Sequence, residues 1–195
     1  MSVRKPIAHD SALKQACGAA QYLDDLPEPK GLLHLYIAMS TEAHANITKM
    51  DLTKVQTAHG VVCVLTKDDI PGVNDVSAFA GDDPLFADGL VEYAGQPIFA
   101  VIANSRTNAT RAAKLADIKY TPLPAITTIP QARAADLKLE DTKDVLKGNI
   151  GQKSAHQIKG SFDIGGQDHF YLEGMIAIAL PLEDGDVHVY SSTQN

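Results

Sequence analysis

Pro97-Ile98-Phe99-Ala100-Val101-Ile102-Ala103-Asn104-Ser105 joins an apolar run to a helix-capping pair, and the architecture follows from it. The run is short and uncharged, which suits a strand buried on both faces or nearly so. Asn104 or Ser105 then offers an N-cap, and Ala109, Ala112, Ala113 and Ala116 fall on one stripe of a helix from Arg106 to Asp117. Small side chains let such a helix close tightly on a sheet. Leu32 to Met39, Val61 to Leu65 and Met175 to Leu182 read as strands of the same buried kind, so the core is mainly sheet. A fifth strand, Asp186 to Ser191, alternates Val187 and Val189 with His188 and Tyr190, and Glu183-Asp184-Gly185 makes the hairpin turn before it. Shorter helical pieces are expected at Leu52 to Ala58 and at Lys67 to Ile70, the second ended by Pro71-Gly72.

Between Asp136 and Lys147 lie seven charges in twelve residues, followed by Gly148-Asn149-Ile150-Gly151. This is a solvated connection, and it divides the chain near residue 150. A total of 195 residues allows one domain or one and a fraction. With 45% hydrophobic and 21% charged residues the chain can bury a core, which excludes wholesale disorder. A net charge of −7 with 6% aromatic residues lacks the basic, ring-bearing face of a nucleic-acid binder. No apolar run approaches the roughly 18 residues that span a bilayer, so no membrane partner is expected. Arg4-Lys5-Pro6 has no apolar segment behind it and does not read as a secretory leader, which places the chain in the cytoplasm. Cys17 and Cys63 are too far apart for clustered metal or iron–sulfur ligation and read as small core residues.

The common chemical motifs are absent. There is no phosphate-cradling glycine loop, no dinucleotide fingerprint and no serine nucleophile elbow. The seven histidines include no pair three to five apart, so a protein-ligated metal is not expected. The acidic pairs Asp24-Asp25, Asp68-Asp69 and Asp82-Asp83 suit turns and caps, because adjacent carboxylates do not converge on one substrate atom. One stretch stands apart: Gly165-Gly166-Gln167-Asp168-His169-Phe170-Tyr171-Leu172-Glu173. Its glycines relax the backbone before a dense polar and aromatic run. Two readings follow, a bulge whose polar groups satisfy one another, or polar groups at the edge of a buried sheet that invite a ligand.

Taken with this stretch, several others form an ordered set. They are Gly18-x-Ala20-x-Tyr22-x-Asp24-Asp25, Ser40-Thr41-Glu42-Ala43-His44-Ala45-Asn46-Ile47, and Thr66 with Asp69-Ile70-Pro71-Gly72. Gly95-Gln96-Pro97-Ile98, Ala112-Ala113 with Tyr120, Leu123-Pro124-Ala125-Ile126 and Ser192-Thr193-Gln194-Asn195 complete it. In this order and spacing the chain resembles, along almost its whole length, the N-terminal part of the molybdenum-cofactor-binding subunit of xanthine dehydrogenases. These belong to the molybdenum hydroxylase family, which also holds aldehyde oxidases. Cys17, where Ser or Thr is usual, and Asp168, where Glu is commoner, are small departures.

The resemblance implies an α+β fold: an α/β hammerhead domain over 15–125, a mixed sheet with a few helices, then the first β-hairpin of the molybdopterin-binding domain over 151–195. Residues 1–14 would be an N-terminal extension and 126–150 a linker. It implies an oxidoreductase of purine catabolism that hydroxylates hypoxanthine and xanthine to urate at a molybdenum–molybdopterin centre. Electrons would pass through 2Fe-2S clusters and FAD to NAD. The free Met1 ahead of the hammerhead resembles the bacterial arrangement, with iron–sulfur and FAD groups on a partner subunit and heterodimers assembling in pairs. Of the family's active-site residues only Gln194 maps onto this chain, as a donor to an oxygen ligand of molybdenum; no catalytic residue and no direct metal ligand does. The glycine-rich stretch, the purine-binding glutamate and arginine and the catalytic glutamate lie downstream in the family. With Asn195 ending the sequence just past a strand, the chain reads as a fragment, a truncated product inactive alone. A subunit-docking module and a parent that oxidises aldehydes are the alternatives.

Overall fold

A computed structural model describes residues 4–78, 81–138 and 143–193. Along the chain the elements are α1 (Ala12–Ala16), β1 (His34–Met39), β2 (Ala45–Asp51), α2 (Thr53–Gln56), β3 (Val61–Leu65) and β4 (Leu90–Val91). Then come β5 (Pro97–Ala103), α3 (Arg106–Ala113), β6 (Asp117–Pro122), α4 (Ile129–Ala134), β7 (Ala177–Pro181) and β8 (Val187–Ser191). Short 3-10 turns occupy Leu23–Asp25, Lys67–Asp69 and Glu183–Gly185. The chain forms two compact units, Lys30–Leu146, and Met1–Pro29 with Lys147–Asn195. No helix of the described residues is long and apolar enough to cross a membrane.

In the Lys30–Leu146 unit, β5 is the central strand of the sheet β1-β5-β3, and β2 is the central strand of the sheet β4-β2-β6. Every described pairing is antiparallel, so the single mixed sheet expected is in fact two antiparallel ones. β5 and β3 have the bounds expected. The inner face of the first sheet carries Tyr36, Val101 and Val64 on one rung and Ala38 and Phe99 on the next. Against it lie Ala109, Ala112 and Ala113 of α3, all buried, whose lack of bulk permits close approach. Ser105 is the N-cap, its side chain accepting from Asn108 N at 3.2 Å.

Three expectations are corrected here. The helix ends at Ala113 rather than Asp117, because Asp117 to Pro122 pairs along β2 instead. Burial on both faces holds for β5 alone among the apolar runs: Leu35 and Met39 of β1 are 53% and 57% exposed, and on β7 only Ile178 and Leu180 are half-buried. Cys17 is exposed and Cys63 only half-buried, since α1 is too short to bury any residue and Cys63 lies on the outward side of β3.

The second sheet places Lys49 directly opposite Lys119, a repulsive cross-strand pair. Asp117 relieves it, 2.6 Å from the Lys49 Nζ and 3.1 Å from that of Lys119. These hydrogen bonds hold the Asp117 carboxyl below its usual value, and Asp117 raises Lys49. Asp51, Asp69 and Asp75 are lowered as well, chiefly by backbone N–H donors at Thr53, Thr66 and Ser77. A carboxylate depressed in the folded state adds stability above its unfolded value and loses it as pH falls through the folded one. The urea midpoint is therefore expected to be level around neutrality and to fall once pH drops below the usual carboxylate range. Asp117→Asn should flatten part of that fall; an unchanged acid limb would remove Asp117 from the account.

In the unit of Met1–Pro29 and Lys147–Asn195, β7 and β8 form the expected hairpin, Ala177 facing Ser191 and Pro181 facing Val187. Its turn places Asp184 at φ 59 and Gly185 at φ 84, the left-handed pair that matches strand twist in a tight hairpin.

Candidate functional site

Several of the ordered motifs meet in the Lys30–Leu146 unit. Ser40 N donates to Gln96 O and Gly95 N donates to Ser40 O, both at 2.8 Å, and Gly95 takes φ +94 to make the turn. The Ser40 hydroxyl accepts from Glu42 N and donates to Glu42 O, each at 3.0 Å. Gln96, the largest buried polar side chain, accepts from Glu92 N at 2.7 Å through Oε1. Burial pushes the Tyr120 phenol up, while a hydrogen bond with Ser40 pulls the other way. Three residues further along, Leu123 N donates to His44 O at 2.8 Å. His44 Nδ1 lies 2.7 Å from Pro124 O, which can only accept, so that nitrogen carries the proton. These polar groups spend their hydrogen bonds on one another and pin three turns together. They are scaffold, and a Ser and a Gln flanking strand ends were the signal that could have revealed it.

The other unit brings a second pair of motifs together. Tyr22 N donates to Asp25 Oδ2 at 2.9 Å, and Leu23 N donates to Glu173 Oε1 at 3.1 Å. Otherwise 165–173 does not sit at the edge of a buried sheet, as one reading of its polar run expected. It is irregular and open, with Phe170 at φ 46, Phe170 91% and Leu172 85% exposed, and Phe170 N donating to Asp168 Oδ1 at 3.1 Å. Neither is it a bulge, since no strand is paired there. Ser192 is anchored, accepting from Ile176 N at 3.1 Å and donating to Gly174 O at 2.9 Å. Gln194, the residue expected to approach a metal's oxygen ligand, lies outside the described residues.

A family model described as "Aldehyde oxidase and xanthine dehydrogenase, a/b hammerhead domain" matches residues 17–124. The chain belongs to the aldehyde oxidase and xanthine dehydrogenase family. A second model, "Molybdopterin cofactor-binding domain", matches residues 132–195. Among this family's curated members, the chain is 40% identical to a xanthine dehydrogenase/oxidase of Gallus gallus, over 100% of the chain and 14% of that protein. It is 34% identical to a xanthine dehydrogenase of Oryza sativa subsp. japonica, over 99% of the chain and 15% of that protein. The chain thus spans about one seventh of the length of these relatives. The solved aldehyde oxidoreductase of Desulfovibrio gigas matches with a TM-score of 0.78 at 29% identity, covering 94% of this chain and 23% of that one. The expected α+β hammerhead fold is thereby established.

This family implies a molybdopterin group, and the surroundings of the described residues test the fit. A Cβ added at Gly165 or Gly166 would meet nothing within 4 Å. Among the described residues, no three His, Cys, Asp or Glu side chains could hold a metal ion. The described residues do not form a cofactor cradle by themselves.

Proposed function

We propose that this chain is part of a xanthine dehydrogenase, a molybdenum hydroxylase that converts hypoxanthine and xanthine to urate. The observation that carries the reading is 40% identity to a xanthine dehydrogenase/oxidase along the whole chain. Aldehyde oxidation, the second reading, is favoured by the aldehyde oxidoreductase structures, but these stand at only 29% and 30% identity. In this proposal residues 1–14 are an extension, 15–125 the hammerhead, 126–150 a linker and 151–195 the start of the molybdopterin-binding domain. Iron–sulfur and FAD groups sit on a partner subunit of a cytoplasmic bacterial enzyme, and NAD takes the electrons.

The bound molybdenum group would supply oxygen transfer to an electron-poor carbon and accept the electrons. Gln194 would contribute two amide hydrogens toward an oxygen ligand of the metal without taking up a coordination site. Gln96, Ser40 and His44 would hold the scaffold and take no part in chemistry.

In a full-length enzyme carrying this sequence, xanthine is expected to be turned over with higher kcat/KM than an aromatic aldehyde; the reverse order would move the parent to aldehyde oxidation. Gln194→Ala in that enzyme should cost about 10–100-fold in activity with molybdenum content retained or modestly lowered. Full activity in the variant would remove Gln194 from the site. The 195-residue chain alone is expected to hold no molybdenum by elemental analysis, and bound metal with purine turnover would overturn its inactivity.

A further inference from the structure

The ladder of β7 and β8 ends with Ala177 facing Ser191, yet the chain stays fastened for two residues more. Ser192 N donates to Ile176 O at 3.1 Å. Its hydroxyl accepts from Ile176 N at 3.1 Å and carries a single proton, which it gives to Gly174 O at 2.9 Å rather than to Ile176 O at 3.4 Å. One side chain thus closes the rung that the ladder leaves open and reaches two residues beyond it. Thr193 N then donates to Ser191 Oγ at 3.2 Å, a local serine turn that sets the path by which the chain leaves the strand.

Gly174 can anchor Ser192 only if it is held in turn, and its neighbour Glu173 supplies the hold. Glu173 Oε1 accepts from Leu23 N at 3.1 Å, across 150 positions of sequence. The turn Leu23–Asp25 that offers this N–H is itself closed by Tyr22 N on Asp25 Oδ2 at 2.9 Å. Leu23, Glu173, Ile176 and Ser192 are half-buried, whereas Leu172 and Met175 between and beside them are 85% and 83% exposed. Apolar packing does not hold this stretch, so its order depends on the hydrogen bonds. They form one line from Leu23 through Glu173 and Gly174 to Ser192, two positions before Gln194. An amide that approaches the oxygen ligand of a metal works only from a fixed place, held within about 0.5 Å by the groups around it.

On the reading of Gln194 given above, we infer that Ser192 is a positioning residue for Gln194, and that Glu173, held by Leu23, supports it by fixing Gly174. Neither side chain touches reacting atoms; each acts through the backbone it fastens. The turn Leu23–Asp25 falls within the span that the hammerhead model matches, yet it packs in the unit of Met1–Pro29 and Lys147–Asn195 and serves the strand end there.

The test uses a full-length enzyme carrying this sequence and has two arms. Hydrogen exchange read by mass spectrometry, on enzyme prepared without molybdenum, should show the Thr193 and Gln194 amides exchanging about fivefold faster or more in Ser192→Ala. The amides of Val187 to Tyr190 should keep their rates. In the loaded enzyme Ser192→Ala is expected to lower kcat about tenfold with KM unchanged, and Ser192→Thr, which keeps the hydroxyl, to retain most of the rate. In a Gln194→Ala background the same change should cost less than about twofold more, because the group it positions is already gone. Glu173→Ala is the second variant should Ser192→Ala fail to fold by circular dichroism, and Glu173→Gln, which still accepts from Leu23 N, should behave as the parent. Unchanged exchange at Thr193 and Gln194, a Ser192→Ala loss that multiplies in full onto that of Gln194→Ala, or a loss carried by KM alone would each overturn the proposal. Full activity in Gln194→Ala would instead remove the role given to Gln194, and the exchange arm would still decide whether Ser192 holds that segment.

Discussion

Phe99→Ala is expected to destabilise the Lys30–Leu146 unit by about 3–5 kcal/mol, the usual cost of emptying an aromatic site in a core. Phe99 is 1% exposed and stands on the inner face of the central strand β5, opposite Ala38. The void would be difficult to close. β5 is hydrogen-bonded to β1 on one side and β3 on the other, so its backbone cannot move inward without breaking two ladders. The facing helix α3 presents only alanines, which have no length to reach into the space. Set against a typical total stability of about 5–15 kcal/mol, such a loss approaches unfolding. Urea denaturation followed by circular dichroism measures it, and a loss under about 1 kcal/mol, far below the usual range, would show that the core repacks readily.

Gly60→Ala is expected to produce the second large loss, for a different reason. Gly60 has φ +78, where an L side chain carries roughly 1–3 kcal/mol of strain. An added Cβ would also lie 2.5 Å from both Asn104 Oδ1 and Asn108 Nδ2, atoms that are hydrogen-bonded to each other at 2.8 Å. Asn104 is further held by its N–H on Gly60 O at 2.9 Å. The Asn pair must therefore part, adding about 0.5–1.5 kcal/mol for the bond lost. Gly89→Ala is the matching control, since Gly89 has φ +76 with open space around it. Its melt should show the backbone cost alone. Equal losses at the two positions would mean that the Asn pair yields freely.

These two sites show why part of the fold was legible and part was not. β3 and β5 could be delimited from sequence because each is a dense apolar run whose burial is its own signature. Ser105 could be placed because capping acts within three residues. By contrast, β2 is mostly exposed beyond Ala45, and what stabilises it is pairing with β6, such as Lys49 on Asp117, far along the chain. No local pattern carries that partnership. The overrun of α3 has the same origin: Ala116 continues the alanine stripe, but Asp117 and Ile118 are taken by β2. Cys17 was misplaced because residue type alone suggested burial where α1 has no core to bury it in. As for the site, the role expected of Gln194 rests on family likeness rather than on any local spacing, and the stretch 165–173 lacks, among the described residues, a surrounding cradle that would reveal what its polar groups face.

The strand order β1-β5-β3 also bears on how the chain is made. β1 and β3 do not pair with each other; both wait for β5, which leaves the ribosome after them. At about 5–20 residues per second, roughly 3–13 s separate the synthesis of Met39 from that of Ala103. β1 is unmatched throughout that interval and β3 is too once Leu65 has been made, so nascent chains are expected to need chaperone cover until Ala103 emerges.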